Sequence, residues 1–482
     1  MPSTQYLPFA QRSLFIFALV YPLVLFPGAP FMPLAQWQNS GYDSAELFQL
    51  LPKICFLFLA GLIGFMVSRP IPWREPLVWL LGGHLGLVVL GAMLSGDDFT
   101  FNFLGPPRRM DGIFYHLGLV LLGIFVYSTL RRDPQRGLRI ALLGLFWSGV
   151  VQAGVALLQR LGVDVFSPLV RYFPYNAPVG TIGQPGMLAG LLLGSFLAAL
   201  VLYRLSEGKP RWGILLGVLV IAAAIGVSTN RSALIALVVG LVGLNLSQRS
   251  LGLFGASILA MLALLGGKYL LPNPHGFARG YGDTLTFKIR LQIWQIALEE
   301  IQKNPRLLLT GGGPDAFKLA MLRNPPVDRL MEAYRQELNW PSNATISKVQ
   351  VVQDPDAPLR TKQLWVTFST YGEYKNHTVV YDFLLDKAHN FLLDRLLDYG
   401  LLSVLIWILL YLFPLWRDIP HKTSSFGGLA WILVGLFVYY LAWFPVVQVE
   451  PLHVLLIAVT WALLVPERIS IRSVRTVAAK AG

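Results

Sequence analysis

Apolar stretches of membrane-crossing length recur along the chain, separated by short clusters of charged side chains. Charge-free windows run for 21 positions from Glu75 to Asp97, 19 from Asp111 to Arg131 and 20 from Arg139 to Arg160. A helix crossing about 30 Å of hydrocarbon takes about 20 residues. The pattern predicts twelve spans, near 14–34, 47–68, 77–96, 113–130, 140–159, 186–203, 212–228, 232–248, 250–267, 391–415, 425–446 and 451–466. Between the ninth and tenth lies one long polar segment, 268–388. Within it, residues 285–302 place Phe287, Leu291, Trp294, Leu298 and Ile301 on one helical stripe with Glu299 opposite, which predicts a helix lying on the membrane surface. Residues 364–371 and 377–383 alternate with period two around a turn containing Gly372 and Asn376, which predicts a β-hairpin.

Composition agrees with the pattern. Of 482 residues, 55% are apolar and 13% charged, against roughly 25% charged in a soluble domain. The fold class is therefore an all-α polytopic membrane protein of about twelve transmembrane helices, with one large loop domain of helices plus a small hairpin. The net charge of +13 is not a nucleic-acid footprint, because no basic stretch is interleaved with stacking aromatics. Its use is topological. The connections after even-numbered spans, with the termini, hold seventeen Lys and Arg, whereas the short connections on the other side hold six. By the positive-inside rule both termini are cytoplasmic and segment 268–388 is external. The domains are then a membrane domain over 1–267, an external loop domain over 268–388, a second membrane domain over 389–467 and a basic cytoplasmic tail over 468–482. The N-terminal apolar run reads as the first span rather than a cleaved signal. Cys55, the one cysteine, leaves no internal disulfide and no cysteine-based metal motif.

Candidate chemistry concentrates at the external face. Arg231 sits in STNRS, a short turn between two apolar helices on the side where the topology rule disfavours positive charge. Arg290 lies at the edge of the apolar stripe of its helix, and Arg108 and Arg109 stand in GPPRRMDG. Guanidinium forks match phosphate oxygens and stay charged in partly buried sites, so these arginines are candidates for a phosphate or diphosphate site. Snorkelling or solvated surface arginines are the alternative. His389 and Asn390 sit where the external segment re-enters the membrane, and a histidine there can take a proton at neutral pH. The alternative is a helix-start histidine with a structural hydrogen bond. His84 and His116 lie inside predicted spans and read as buried, hydrogen-bonded residues. Walker-type, HExxH and GxSxG motifs are missing. Asp97 with Asp98 is the one external acidic pair suited to a divalent cation, and a metal-free, cofactor-free mechanism is expected.

Four stretches, GTIGQPGMLAG, STNRSALIAL, RLQIWQIALEEIQKNPRLLLTGGGPDAF and AHNFLLDRLLDYGLLSVL, taken in order and with their predicted sides of the membrane, resemble the O-antigen ligase superfamily. That superfamily includes Wzy-type O-antigen polymerases and bacterial protein O-oligosaccharyltransferases. The resemblance covers roughly Gly180 to Leu405. It implies a metal-independent, inverting glycosyltransferase of the bacterial inner membrane, acting in cell-envelope polysaccharide and lipopolysaccharide biosynthesis. Arg231 and Arg290 would hold the diphosphate of an undecaprenyl diphosphate-linked glycan, and His389 would activate an acceptor hydroxyl on lipid A-core or on a glycan. Arg108, Arg109 and Asn390 would support them. Residues 340–383 have no counterpart in the family pattern, which leaves the acceptor open. The ligase is the favoured member, polymerase and oligosaccharyltransferase are the near alternatives, and a lipid-linked glycan transporter is the rival from another class.

Overall fold

Over most of each long charge-free stretch that is described the chain is helical, which pairs the backbone internally where no water is present. A computed structural model describes residues 6–24, 50–96, 99–106, 109–163, 177–272, 285–318, 345–353, 362–370, 377–382, 387–418 and 428–465. The helices in order are α1 (Leu7–Val20), α2 (Leu51–Val67), α3 (Pro76–Ser95), α4 (Phe99–Leu104), α5 (Ile113–Arg132), α6 (Pro134–Arg160), α7 (Pro185–Arg204), α8 (Gly208–Ser228), α9 (Arg231–Gln248), α10 (Leu251–Tyr269), α11 (Leu285–Lys303), α12 (Leu307–Thr310), α13 (Phe391–Asp418), α14 (Leu429–Tyr440) and α15 (Glu450–Leu464). Eight of them, α3, α5 to α10 and α13, are long and apolar enough to cross a membrane. α1, α2, α14 and α15 are shorter apolar helices. The protein is a multi-pass helical membrane protein.

Every residue of α7 from Pro185 to Tyr203 is buried, with α6, α8, α9 and α14 packed around it. α5 fills a second core position between α2, α3 and α15. Peripheral helices instead turn large apolar side chains outward, among them Leu251 at 90% exposure, Met93 at 77% and Trp79 at 70%. Water would not tolerate so continuous an apolar exterior, and lipid does.

Connections gather at two ends. At one end Arg131 reaches Glu75 at 3.5 Å and donates to the Val465 carbonyl at 2.8 Å, while Gln11 donates to Asp133 at 3.1 Å. The turns around 109–112, 229–232, 387–390 and 441–449 gather at the other.

Two expectations need correction. The first apolar helix starts at Leu7 rather than near 14, because Pro8 in its first turn favours a helix start there, and it closes through a 3-10 turn over Tyr21–Leu23. Of the span expected over 425–446, the described part is helical over Leu429–Tyr440. Pro445 disfavours helical geometry at Phe444, and residues 441–449 form an irregular crossing of the site. Among the described side chains of α11, Ile293, Ile296, Ala297, Glu300 and Ile301 are buried, whereas Leu291 and Leu298 are about half exposed. Periodicity locates apolar flanks but cannot tell a flank facing protein from one facing lipid, since lipid tails are as apolar as leucine.

The expected hairpin is two strands of a three-stranded antiparallel sheet. β2 (Lys362–Thr370) pairs with β3 (His377–Asp382), with Leu364 opposite Tyr381 and Phe368 opposite His377. β1 (Thr345–Gln353) adds to the free edge of β2, with Val349 opposite Val366. Register irregularities between Thr345 and Lys348 break its alternation, which hides it from a period-two reading. Gly372 and Asn376 lie outside the described residues.

α13 is interrupted at Gly400, whose φ of 79° and ψ of 175° are not helical. The break leaves the Leu397 and Asp398 carbonyls without partners along the helix. Gly312 and Gly313 fill the gap, donating their N–H groups to those carbonyls at 2.8 and 3.0 Å. A side chain at Gly400 would meet the Leu309 carbonyl at 2.6 Å. The glycine run after α12 is thus a backbone-to-backbone seam onto α13.

Candidate functional site

The segment that follows α14 supplies the floor of the site. Trp443 and Phe444 lie stacked, ring centroids 5.3 Å apart and planes 11° apart. Three side chains from three other parts of the chain converge on them. The Arg290 guanidinium carbon, from α11, sits 5.5 Å from the Trp443 ring centroid. That of Arg109, from the connection between α4 and α5, sits 4.5 Å from the Phe444 centroid. The His389 imidazole meets both rings edge-on, 5.7 Å from Trp443 and 4.8 Å from Phe444. Guanidinium over an aromatic face is worth about 0.5 to 2 kcal/mol, more as water is excluded.

Arg231 opens α9, just after a turn made by Thr229 in the left-handed region, φ 54°, and Asn230, whose side chain accepts from Ala233 N–H at 2.9 Å. Its chain neighbour Ser232 ties it to the floor: Arg290 donates to Ser232 Oγ at 3.4 Å, and Ser232 donates to the Ala442 carbonyl at 3.5 Å. Arg231, Arg290, Arg109 and His389 are all half-buried. Asn390 has a structural task. Its Oδ1 accepts from Leu392 and Leu393 N–H at 3.0 and 3.2 Å, capping α13, and its Nδ2 donates to the Leu441 carbonyl at 2.9 Å. Arg108, Asp97 and Asp98 lie outside the described residues. Among the described residues no group of three or more His, Cys, Asp or Glu is gathered as a metal site requires.

Beside the floor stand two buried ionic groups. Lys387 Nζ lies 3.1 Å from Asp398 Oδ2 and 3.3 Å from Asp111 Oδ2. Burial alone would pull this ammonium down, but the carboxylates of Asp111 and Asp398 hold it well above the ordinary lysine value. Asp398 also accepts from Ala316 N–H at 3.1 Å through its other oxygen. One carboxylate therefore pins both ends of the segment from Ala316 to Lys387. Deeper in, Arg395 donates to Glu450 at 2.5 Å, and Glu450 accepts from Tyr115 at 2.8 Å. His84 and His116 are buried and share a hydrogen bond of 3.3 Å. His84 also contacts Ser403 at 3.2 Å, and His116 contacts Tyr399 at 3.3 Å.

The structure thus gathers Arg109, Arg290, His389 and Asn390, all singled out in the sequence, with Arg231 at the head of the neighbouring helix, and adds Trp443, Phe444 and Ser232, which were not. Pro445 and Pro451, flanking VVQVE in a segment read as two spans, were the available signal that the chain leaves the helix there. Chemically, the arrangement offers several guanidinium forks and one imidazole over an apolar floor at one end of the helix bundle. No protein-family model matches the chain, and no curated protein matches it either.

Proposed function

We propose that the chain is a glycosyltransferase of the O-antigen ligase type, moving a glycan from a polyprenyl diphosphate carrier to an acceptor hydroxyl outside the cytoplasmic membrane. One observation carries this reading: Arg109, Arg290 and His389, distant in sequence, share the Trp443–Phe444 floor, with Arg231 heading the adjacent helix. In this reading all twelve apolar helices cross the inner membrane, the termini are cytoplasmic, and the floor faces the periplasm.

The arginines hold the diphosphate in two-point contacts. The acceptor oxygen attacks the anomeric carbon, the bond from that carbon to the diphosphate oxygen breaks, and the electron pair leaves with the carrier. Fixed cations stabilise the charge that grows on the leaving group. His389 takes the acceptor proton. A single displacement of this kind inverts the anomeric carbon and uses no nucleotide sugar. Lipid A-core is the favoured acceptor, as in O-antigen ligases. A growing glycan would make the protein a polymerase, and a protein hydroxyl an oligosaccharyltransferase.

The test is reconstitution in liposomes with a defined undecaprenyl diphosphate-linked glycan and each acceptor in turn. Glycosylated lipid A-core, with release of the carrier diphosphate, is the expected product. Movement of intact donor between leaflets without any transfer would replace the enzyme reading by a transporter.

A further inference from the structure

The backbone that carries His389 is held in an unusual way. His389 has φ +52°, a left-handed conformation that is unfavourable for an L-residue and is kept only where the surroundings impose it. The residue before it, Ala388, is fully buried, and both of its backbone polar groups are bound by side chains. Trp294 Nε1 donates to the Ala388 carbonyl at 2.9 Å, and the Ala388 N–H donates to Asp394 Oδ1 at 2.7 Å.

Trp294 lies one helical turn after Arg290 on α11, and residues four apart share a helix face. The same face thus sends Arg290 to Trp443 and Trp294 to the peptide that leads into His389. Asp394, in the first turn of α13, closes the clamp from the other side.

We infer that Trp294 and Asp394 are positioning residues that clamp Ala388 and thereby fix the His389 imidazole over the Trp443–Phe444 floor. The four-residue spacing of Arg290 and Trp294 then sets the distance between donor phosphate and acceptor-activating base through one rigid helix. The catalytic part of this inference rests on the glycosyl-transfer reading; the clamp itself does not.

Three variants separate the clamp from mere packing. Trp294→Phe keeps a ring and removes the N–H donor. Asp394→Ala removes the acceptor, whereas Asp394→Asn keeps an acceptor oxygen and removes the charge. Three quantities are measured on each purified full-length variant: turnover per folded molecule at saturating donor, donor KM, and the rate of His389 carbethoxylation by diethyl pyrocarbonate, read by peptide mass spectrometry. The expected result is a fall in turnover of about tenfold to 10²-fold in Trp294→Phe and Asp394→Ala, with donor KM nearly unchanged, a severalfold change in carbethoxylation rate, and near-wild-type behaviour in Asp394→Asn. Unchanged turnover per folded molecule with unchanged carbethoxylation overturns the clamp, whatever the yield of folded protein. Asp394→Asn as impaired as Asp394→Ala overturns the role of Asp394, making it a charge partner of Lys387 instead. If His389→Gln turns over like the wild type, the base assignment fails, and carbethoxylation alone then decides the clamp.

Discussion

Trp443 and Phe444 stack 5.3 Å apart and present the rings on which Arg290 and Arg109 rest. The rings orient cations that would otherwise sample many rotamers. Losing one cation–π contact of about 0.5–2 kcal/mol should weaken donor use by about twofold to thirtyfold in Trp443→Ala, with Trp443→Phe near wild type. Donor KM measured for the two variants checks this, and an unchanged KM in Trp443→Ala would remove the floor from the binding site.

Replacing Arg231 or Arg290 with Ala should cut donor binding sharply, and Lys in either place should restore only part of it. An ammonium keeps the charge and loses the planar fork. Binding of a labelled lipid-linked glycan to the four purified variants is the measurement, and full binding by both Ala variants would end the diphosphate assignment.

His389→Ala and His389→Gln should both lose transfer by about 10² to 10⁴, the usual worth of a general base, while donor binding persists. Gln retains hydrogen bonding without proton uptake. Substantial turnover in His389→Gln would therefore assign the imidazole a structural task.

Arg395 and Glu450 form a buried pair at 2.5 Å. Removing one partner of such a pair strands the other charge, at about 3–5 kcal/mol. Glu450→Gln and Arg395→Met should each lower the detergent melting temperature markedly, and the double variant should recover much of the loss. Additive losses in the double variant would mean that the two charges are not paired.

Orientation has its own test. With Cys55 replaced by Ala, a cysteine at Gln135 should react with a membrane-impermeant maleimide only after the cell is opened, because the reverse topology puts seventeen cations on the wrong side. Labelling of intact cells would invert every side assigned to the site.

Most helices were legible because charge spacing marks where a span must end. Arg231 and Arg290 were singled out by their charge and expected side, and His389 by its place before the tenth expected span, but their distances were not legible in the sequence. The aromatic floor was not, since Trp443 and Phe444 read as ordinary span residues until Pro445 is given weight. Nor was the rotation of α11, because Leu291 and Ile293 are equally apolar and only packing leaves one exposed and buries the other. The left-handed backbone of His389 and the seam at Gly400 depend on contacts between segments far apart in sequence, which no local pattern encodes.

Asp398 accepts the Ala316 amide with one oxygen and the Lys387 ammonium with the other. The intervening stretch, sheet included, departs from and returns to a single carboxylate. Its two ends are held together by a residue of the bundle. Lengthening a loop that is already closed costs little, about 0.6 kcal/mol per doubling. Ala316 and Lys387 are therefore natural splice points, at which the intervening segment can be exchanged for another of different size while Asp398 continues to hold both ends.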